Sequence, residues 1–144
     1  MIQVRRAESP EDLRTCLRLR WTVFVEEQGV RPSEEVDAHD GDPAAVHALA
    51  LLDGVPCGAA RFIFAAPGVA KIQRMAVIDD VRKRGVGRAL LAFLEEEARR
   101  QGALRLTLWA QTHARGFYQR AGYAAEGPEF DDAGLPHVSM SKPA

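Results

Sequence analysis

From Asp79 to Leu91 the chain reads Asp-Asp-Val-Arg-Lys-Arg-Gly-Val-Gly-Arg-Ala-Leu-Leu, which sets three cations, Arg82, Lys83 and Arg84, directly before Gly85 and Gly87. An apolar stretch with strand character, Ile72 to Ile78, comes before it, and Val86, Leu90, Leu94 and Ala98 follow at helical spacing. The turn therefore sits where a strand hands over to a helix N-terminus. The first four N–H groups of such a helix lack intrahelical partners and together carry about half a positive charge. Glycine removes the Cβ atoms that would hold an anion away from them. Cations, bare amides and glycines in this order make a phosphate cradle, and a diphosphate is the anion it suits.

Two familiar phosphate loops do not fit. No Lys-Ser or Lys-Thr follows the glycines, so this is not a Walker loop, and Leu90 stands where a dinucleotide fingerprint needs its third small residue.

The elements that must position this turn alternate along the chain. Ile2 to Arg6 reads as a short strand. Ser9-Pro10-Glu11-Asp12 starts a helix, whose core-facing residues are expected to be Leu13, Leu17, Trp21 and Val25, with Gly29 and Pro32 ending it. Residues 31–43 are polar, acidic and aperiodic, hence a loop. Ala45 to Leu52 and Pro56 to Phe64 read as strands joined by Asp53-Gly54, a hairpin signal. In the next strand, from Val69, Ile72 falls on one face while Met75 and Val77 fall on the other parity, which predicts a β-bulge near Gln73-Arg74.

A long helix from Gly85 to Gln101 follows, with Glu95–Arg99 and Glu96–Arg100 pairs expected on its wet side, and Gly102 stops it. Leu104, Leu106 and Leu108 mark a fifth strand; a helix over 111–121 and two short strands near Tyr123–Ala125 and His137–Met140 complete the order β-α-loop-βββ-α-β-α-ββ. The expected fold class is α/β (α+β), with a central sheet and helices packed on it.

Composition narrows the function classes. At 144 residues the chain reads as one domain, 1–144, with 47% apolar and 27% charged residues, ordinary for a globular protein. With a net charge of -1 and a pI near 6.4, the basic turn is local, which argues against a nucleic-acid partner. No apolar run reaches membrane-spanning length, and Met1-Ile2-Gln3-Val4-Arg5-Arg6 lacks a signal-peptide core, so a cytoplasmic protein with no membrane partner is expected. Cys16 and Cys57 lack metal-ligand spacing and read as buried thiols, and no His/Cys/carboxylate set suggests a metal.

The turn spells Arg82-x-x-Gly85-x-Gly87, which resembles the pyrophosphate loop of the GNAT superfamily of N-acetyltransferases. Phe117-Tyr118-Gln119-Arg120-Ala121-Gly122-Tyr123 resembles that superfamily's C-terminal aromatic segment, and Arg74-Met75-Ala76-Val77 its cofactor-lining strand. Arg20-Trp21-Thr22-Val23-Phe24-Val25-Glu26-Glu27-Gln28 and the stretch from Glu129 to Met140 are similar to the ElaA-like branch. Many superfamily members place Asn after the fifth strand; this chain has Gln111, as that branch commonly does. The likeness covers nearly the whole chain. It implies a mixed, mostly antiparallel sheet of six to seven strands flanked by about four helices, with the superfamily's frequent homodimer as a compatible assembly.

The resemblance also implies a chemistry: transfer of an acetyl group from acetyl-CoA, as cosubstrate, to the amine of a small molecule or peptide. The diphosphate would lie on Arg84, Gly85, Val86, Gly87, Arg88 and Ala89, with Arg82, Lys83 and Arg88 adding charge. The amide-rich pantetheine arm would pair like an added strand with Met75 and Val77, and a backbone N–H of Ala76 or Val77 would polarise the thioester carbonyl. Gln111 would border the cofactor. The resemblance assigns Tyr118 as general acid to the leaving thiolate, and a phenol with an ordinary pKa near 10 carries its proton at neutral pH. Phe117 is expected to fill the core while Tyr118 points away from it.

Freeing an alkyl amine of its proton at pH 7 costs about 4 kcal/mol, which a carboxylate can lower. Glu27 is the expected base or amine anchor, with Glu26, His137 and His113 as further substrate-side candidates. The acidic run Glu34-Glu35-Val36-Asp37-Ala38-His39-Asp40 would form a rim attractive to cationic amines. The competing reading is an acyl-CoA-binding sensor without turnover.

Overall fold

The computed structural model describes residues 1–144. Seven strands form one sheet in the order β1-β2-β3-β4-β5-β7-β6. They are β1 (Ile2–Arg6), β2 (Val46–Leu52), β3 (Val55–Ala66), β4 (Val69–Val77), β5 (Arg105–Gln111), β6 (Ala124–Asp132) and β7 (Leu135–Pro143). Four α-helices accompany them: α1 (Pro10–Arg20), α2 (Pro32–Glu35), α3 (Val86–Arg100) and α4 (Arg115–Arg120). All neighbouring strands are antiparallel except β4 and β5.

The two faces of the sheet follow the two-residue period of the strands. Val46, Ala48, Ala50, Phe62, Ala70, Ile72, Leu106 and Leu108 point to the face packed by α3, where Val86, Leu90, Leu94 and Ala98 are buried as their spacing predicts. Leu49, Leu51 and Ala59 point to the other face and pack on Cys16 of α1. Helices cover both faces of β2, so this strand reads as a nearly continuous apolar run. At Asp53-Gly54 the chain turns with φ of 50° and 83°, the left-handed pair that a tight hairpin needs.

Several expected boundaries shift. The buried stripe of the first helix is Cys16, Arg20 and Val23, while Trp21 is 40% exposed. Apolar spacing alone cannot reveal it, because a charged residue occupies a core position and residues Trp21–Glu27 continue as a π-helix, whose wider turn rotates the face. Residues 31–43 are not a featureless loop: they hold α2 and a 3₁₀ turn at Ala38–Gly41. The helix expected over 111–121 is a 3₁₀ turn followed by α4, and β6 and β7 extend well beyond the short strands foreseen. Glu95 is not on the wet side of α3; it is buried, accepting from the Tyr123 hydroxyl at 2.7 Å with Lys142 Nζ at 2.9 Å. Glu96 does meet Arg100, at 3.6 Å.

Candidate active site

Strands β4 and β5 pair only from Val69 to Ile72 and Arg105 to Leu108. Beyond that point they part, while Trp109 to Gln111 remain paired with β7 and Gln73 to Val77 keep only their β3 neighbour. The β3–β4 register slips between Ala59↔Ala76 and Arg61↔Gln73, so one extra residue is inserted on β4 at Arg74-Met75. Arg74 takes φ of 59°, a left-handed conformation costly for a side chain with a Cβ. The bulge foreseen from the parity break is therefore present. It lies where the sheet opens, and it leaves one backbone edge of residues 73–77 without a neighbouring strand.

Gly85, at φ 90°, caps the start of α3 in the left-handed region, and Lys83 just before it is also left-handed at φ 67°. Among the turn and cap bonds, none is donated by the N–H groups of residues 83–88, whereas Ala89, expected among the phosphate donors, gives its N–H to the Gly85 carbonyl at 3.0 Å as the first turn of α3 closes. Consecutive unpaired amides at a helix N-terminus point into a common space, which fits an anion. A Cβ at Gly87 would stand 3.3 Å from the Phe117 ring, so this glycine also admits the close approach of α4.

The cations of the turn divide into two kinds. Arg82 donates from Nε to the Val77 carbonyl at 2.9 Å, and its guanidinium is gripped by the Glu27 carboxylate and lies 3.3 Å from Asp79. It fastens the turn to the end of β4 and to the π-helix instead of standing free. Lys83, Arg84 and Arg88 are exposed and form no ion pair. Arg82 in turn holds the Glu27 carboxyl below its ordinary range, through its hydrogen bond first and its charge as well, with burial opposing, which makes Glu27 a weak proton acceptor.

Tyr118 and Phe117 exchange the roles expected of them. Tyr118 is buried in the main core, edge-on to Phe117 at 4.9 Å and to Tyr123 at 6.0 Å, while Phe117 is half-buried over Gly87. Consecutive residues of a helix point about 100° apart, so the two rings cannot face the same way, and Gly87 leaves the space that Phe117 takes. The Tyr118 hydroxyl is not among the fully buried unpaired atoms and bonds to no protein group, so it reaches the surface. Burial pushes its pKa above the ordinary tyrosine value, and it holds its proton throughout the neutral range.

Gln111 spans from the end of β5 to the π-helix, its Nε2 donating to Gln28 Oε1 at 2.8 Å and its Oε1 lying 2.6 Å from His113 Nε2. His137 is buried; its Nδ1 donates to the Leu135 carbonyl at 2.8 Å, and its ring stacks on Phe130. Glu26 is exposed. Val77, Gly87 and Phe117 meet at the start of α3, where a Cβ on Gly87 would stand 3.3 Å from Phe117 and 3.9 Å from Val77; Tyr118 packs on Phe117 at 4.9 Å, and Gln111 ends β5. His137 is reached only across β5. A surface hollow of about 300 Å³ is lined by Glu129, Phe130, Asp131 and Pro136 on the β6–β7 side, beyond β5 from the opening.

The acidic rim does not exist as a free negative surface. Arg20 donates to Glu35 Oε1 at 2.7 Å and to Asp40 Oδ1 at 2.5 Å. Arg61 donates to Asp37 Oδ2 at 2.7 Å and to Asp40 Oδ1 at 2.8 Å. The two arginines are at most 1% exposed. Sequence pattern assigns neither arginine a role in the site. The available signal was an arginine inside each of two apolar patterns, since a buried charge obliges a partner.

Comparison with known proteins agrees with this geometry. The family described as Acetyltransferase (GNAT) domain matches residues 20–144. A Bacillus subtilis (strain 168) protein, named as an acetyltransferase by assignment, is 38% identical over 98% of this chain and 96% of its own length. The crystal structure of Escherichia coli ElaA superposes with a TM-score of 0.87 at 26% identity, covering 99% of each chain. An acyl-CoA N-acyltransferase from Pseudomonas aeruginosa does so with a TM-score of 0.83 at 26% identity, covering 99% of this chain and 98% of that one.

Proposed function

Because this chain belongs to the GNAT acetyltransferase family and is an acyltransferase, we propose that it moves an acetyl group from acetyl-CoA to a primary amine by direct attack in a ternary complex. One observation carries the reading: the opening between β4 and β5 ends beside a turn whose amides, from Lys83 to Arg88, donate to nothing in the protein. An extended thioester carrier with a diphosphate has the matching shape. Its amide-bearing arm can pair with the free edge at Met75 and Val77, and its phosphates with the amides of residues 83–88. Lys83, Arg84 and Arg88 add charge there, while Arg82 holds the turn in place through Val77 and Glu27.

In the reaction the amine nitrogen bonds to the thioester carbon and the carbon–sulfur bond breaks. A backbone N–H of Ala76 or Val77 steadies the carbonyl oxygen as it gains charge. The Tyr118 hydroxyl gives its proton to the departing thiolate, a role suited to a phenol that stays protonated. The proton lost by the amine goes to water, because Glu27 is engaged with Arg82. With its acids neutralised, the 34–40 segment gives no electrostatic preference for cationic acceptors, so the acceptor is any primary amine of a small molecule or peptide that fits.

Thiol release from acetyl-CoA, measured over a panel of alkyl amines, polyamines, aminoglycosides and peptides, tests this. Amine-dependent release supports acyl transfer to nitrogen. Calorimetric binding of acetyl-CoA with no release for any amine would leave a sensor, and absence of binding would overturn the reading.

A further inference from the structure

Arg74 occupies the left-handed position of the β4 bulge, where glycine or asparagine would be less strained. Its side chain is not idle. Nε donates to the Glu35 carbonyl at 3.0 Å, and Nη2 to the Glu34 carbonyl and to Asp37 Oδ2, each at 3.2 Å. Those carbonyls end α2, so they are the acceptors a helix C-terminus leaves unpaired. The preceding residue is held too: Gln73 Oε1 accepts from Arg61 Nε at 3.1 Å and Nη2 at 2.9 Å.

The 34–40 segment is itself anchored from below. Arg20 of α1 binds the Glu35 carboxylate, the Glu35 carbonyl and Asp40, and Arg61 of β3 binds Asp37 and Asp40. Asp37 also caps the 3₁₀ turn, taking the His39 N–H at 3.0 Å. Three guanidinium charges thus meet three carboxylates, Glu35, Asp37 and Asp40, in one internally neutral cluster. The cluster connects α1, β3 and the segment around α2 to the two bulge residues.

We infer that this cluster is a positioning device for catalysis: Arg74, with Asp37 as its carboxylate partner, fixes the bulge so that the backbone N–H of Ala76 or Val77 is aimed at the thioester carbonyl. The inference rests on the proposed acyl transfer. The acidic segment, which as a sequence looks like an attractor for substrate, acts through the backbone of β4. A donor misplaced by about 1 Å can lower turnover by about 100-fold, because such a donor must be in place before charge develops. The proposed phosphate grip lies on another element, at residues 83–88, to which no side chain of the cluster hydrogen-bonds.

Two variants separate positioning from mere stability. Arg74→Gly removes the clamp and at the same time relieves the left-handed strain. Asp37→Asn keeps the shape of its side chain and removes the charge that two arginines share. With acetyl-CoA and whichever panel amine turns over, both variants are expected to lower kcat by about 10- to 100-fold, a larger change than the accompanying rise in KM for acetyl-CoA, whose phosphates are held at residues 83–88. Arg74→Lys, which restores the charge without the fork, is expected to recover part of the loss. Hydrogen exchange of the Met75–Val77 amides in the unliganded protein should quicken in Arg74→Gly while the α3 amides stay unchanged. Wild-type kcat in both variants would overturn the inference. If the wild type turns over no amine, the functional proposal fails, and unchanged exchange at Met75–Val77 would then overturn the clamp independently.

Discussion

Tyr118, the proposed general acid, is held by packing on every side of its ring. Its ring is held edge-on between Phe117 and Tyr123 while its hydroxyl meets no protein partner. Packing sets the ring's direction, and burial keeps the proton on the oxygen. Tyr118→Phe preserves the ring and removes only that proton, so kcat is expected to fall by about 100-fold or more with acetyl-CoA affinity unchanged by calorimetry. Retained turnover would mean that another group protonates the thiolate. Glu27 is the opposite case. Its ion pair with Arg82 is about 39% and 34% exposed on the two sides, and such pairs contribute about 0–1 kcal/mol. Glu27→Gln is therefore expected to keep turnover within about tenfold and to leave the unfolding midpoint nearly unchanged. A loss as large as that of Tyr118→Phe would restore Glu27 as the base.

Among the elements, β4 and the start of α3 do most to shape the site. One inserted residue turns Met75 and Val77 onto the opposite parity and ends pairing with β5, so a single bulge both frees a backbone edge and opens the sheet. Gly85 has its nearest would-be Cβ contact at an ordinary 3.7 Å, from Ile2, so space is not what requires a glycine there. The φ of 90° is. Gly85→Ala is expected to cost about 1–2 kcal/mol of stability. It should also raise the Kd for acetyl-CoA, since relaxing this φ turns the amides of residues 83–88 away from a common centre. Thermal unfolding and calorimetry check the two effects separately; unchanged affinity with lowered stability would dissociate the turn from the phosphates.

Over the whole molecule, the buried charges are neutral in sum but sensitive to acid. Burial raises the Asp40 carboxyl pKa, yet the hydrogen bonds and charge of Arg20, the Asp37 N–H and the charge of Arg61 outweigh it and bring the group to about 2 from an ordinary 3.8. Burial likewise opposes the lowering of Asp37, which Arg61 and Arg74 produce. A carboxyl depressed in the folded state adds stability that is fully present above its unfolded pKa and is lost as pH falls toward the folded one. The protein should accordingly lose stability between about pH 4 and pH 2, with Asp40 alone contributing about 2 kcal/mol. Urea midpoints across that range test it: Asp40→Asn should start less stable at neutral pH and show a shallower acid decline. An equally steep decline in the variant would place the acid sensitivity elsewhere.

The parts of this protein that could be read from its amino acids are those governed by local rules. The α3 stripe, the Asp53-Gly54 hairpin, the glycine turn that starts α3 and even the bulge follow from side-chain period and backbone preference over a few neighbouring residues. The rest depends on partners far apart in the chain. Arg20 meets Glu35 and Asp40, Arg61 meets Asp37, and Arg82 meets Glu27 across 55 positions. An isolated acidic run carries no mark of whether it faces water or guanidinium groups, because charge satisfaction is a property of the packed assembly. The same holds for Phe117 and Tyr118, whose exchange of roles was settled by the space at Gly87.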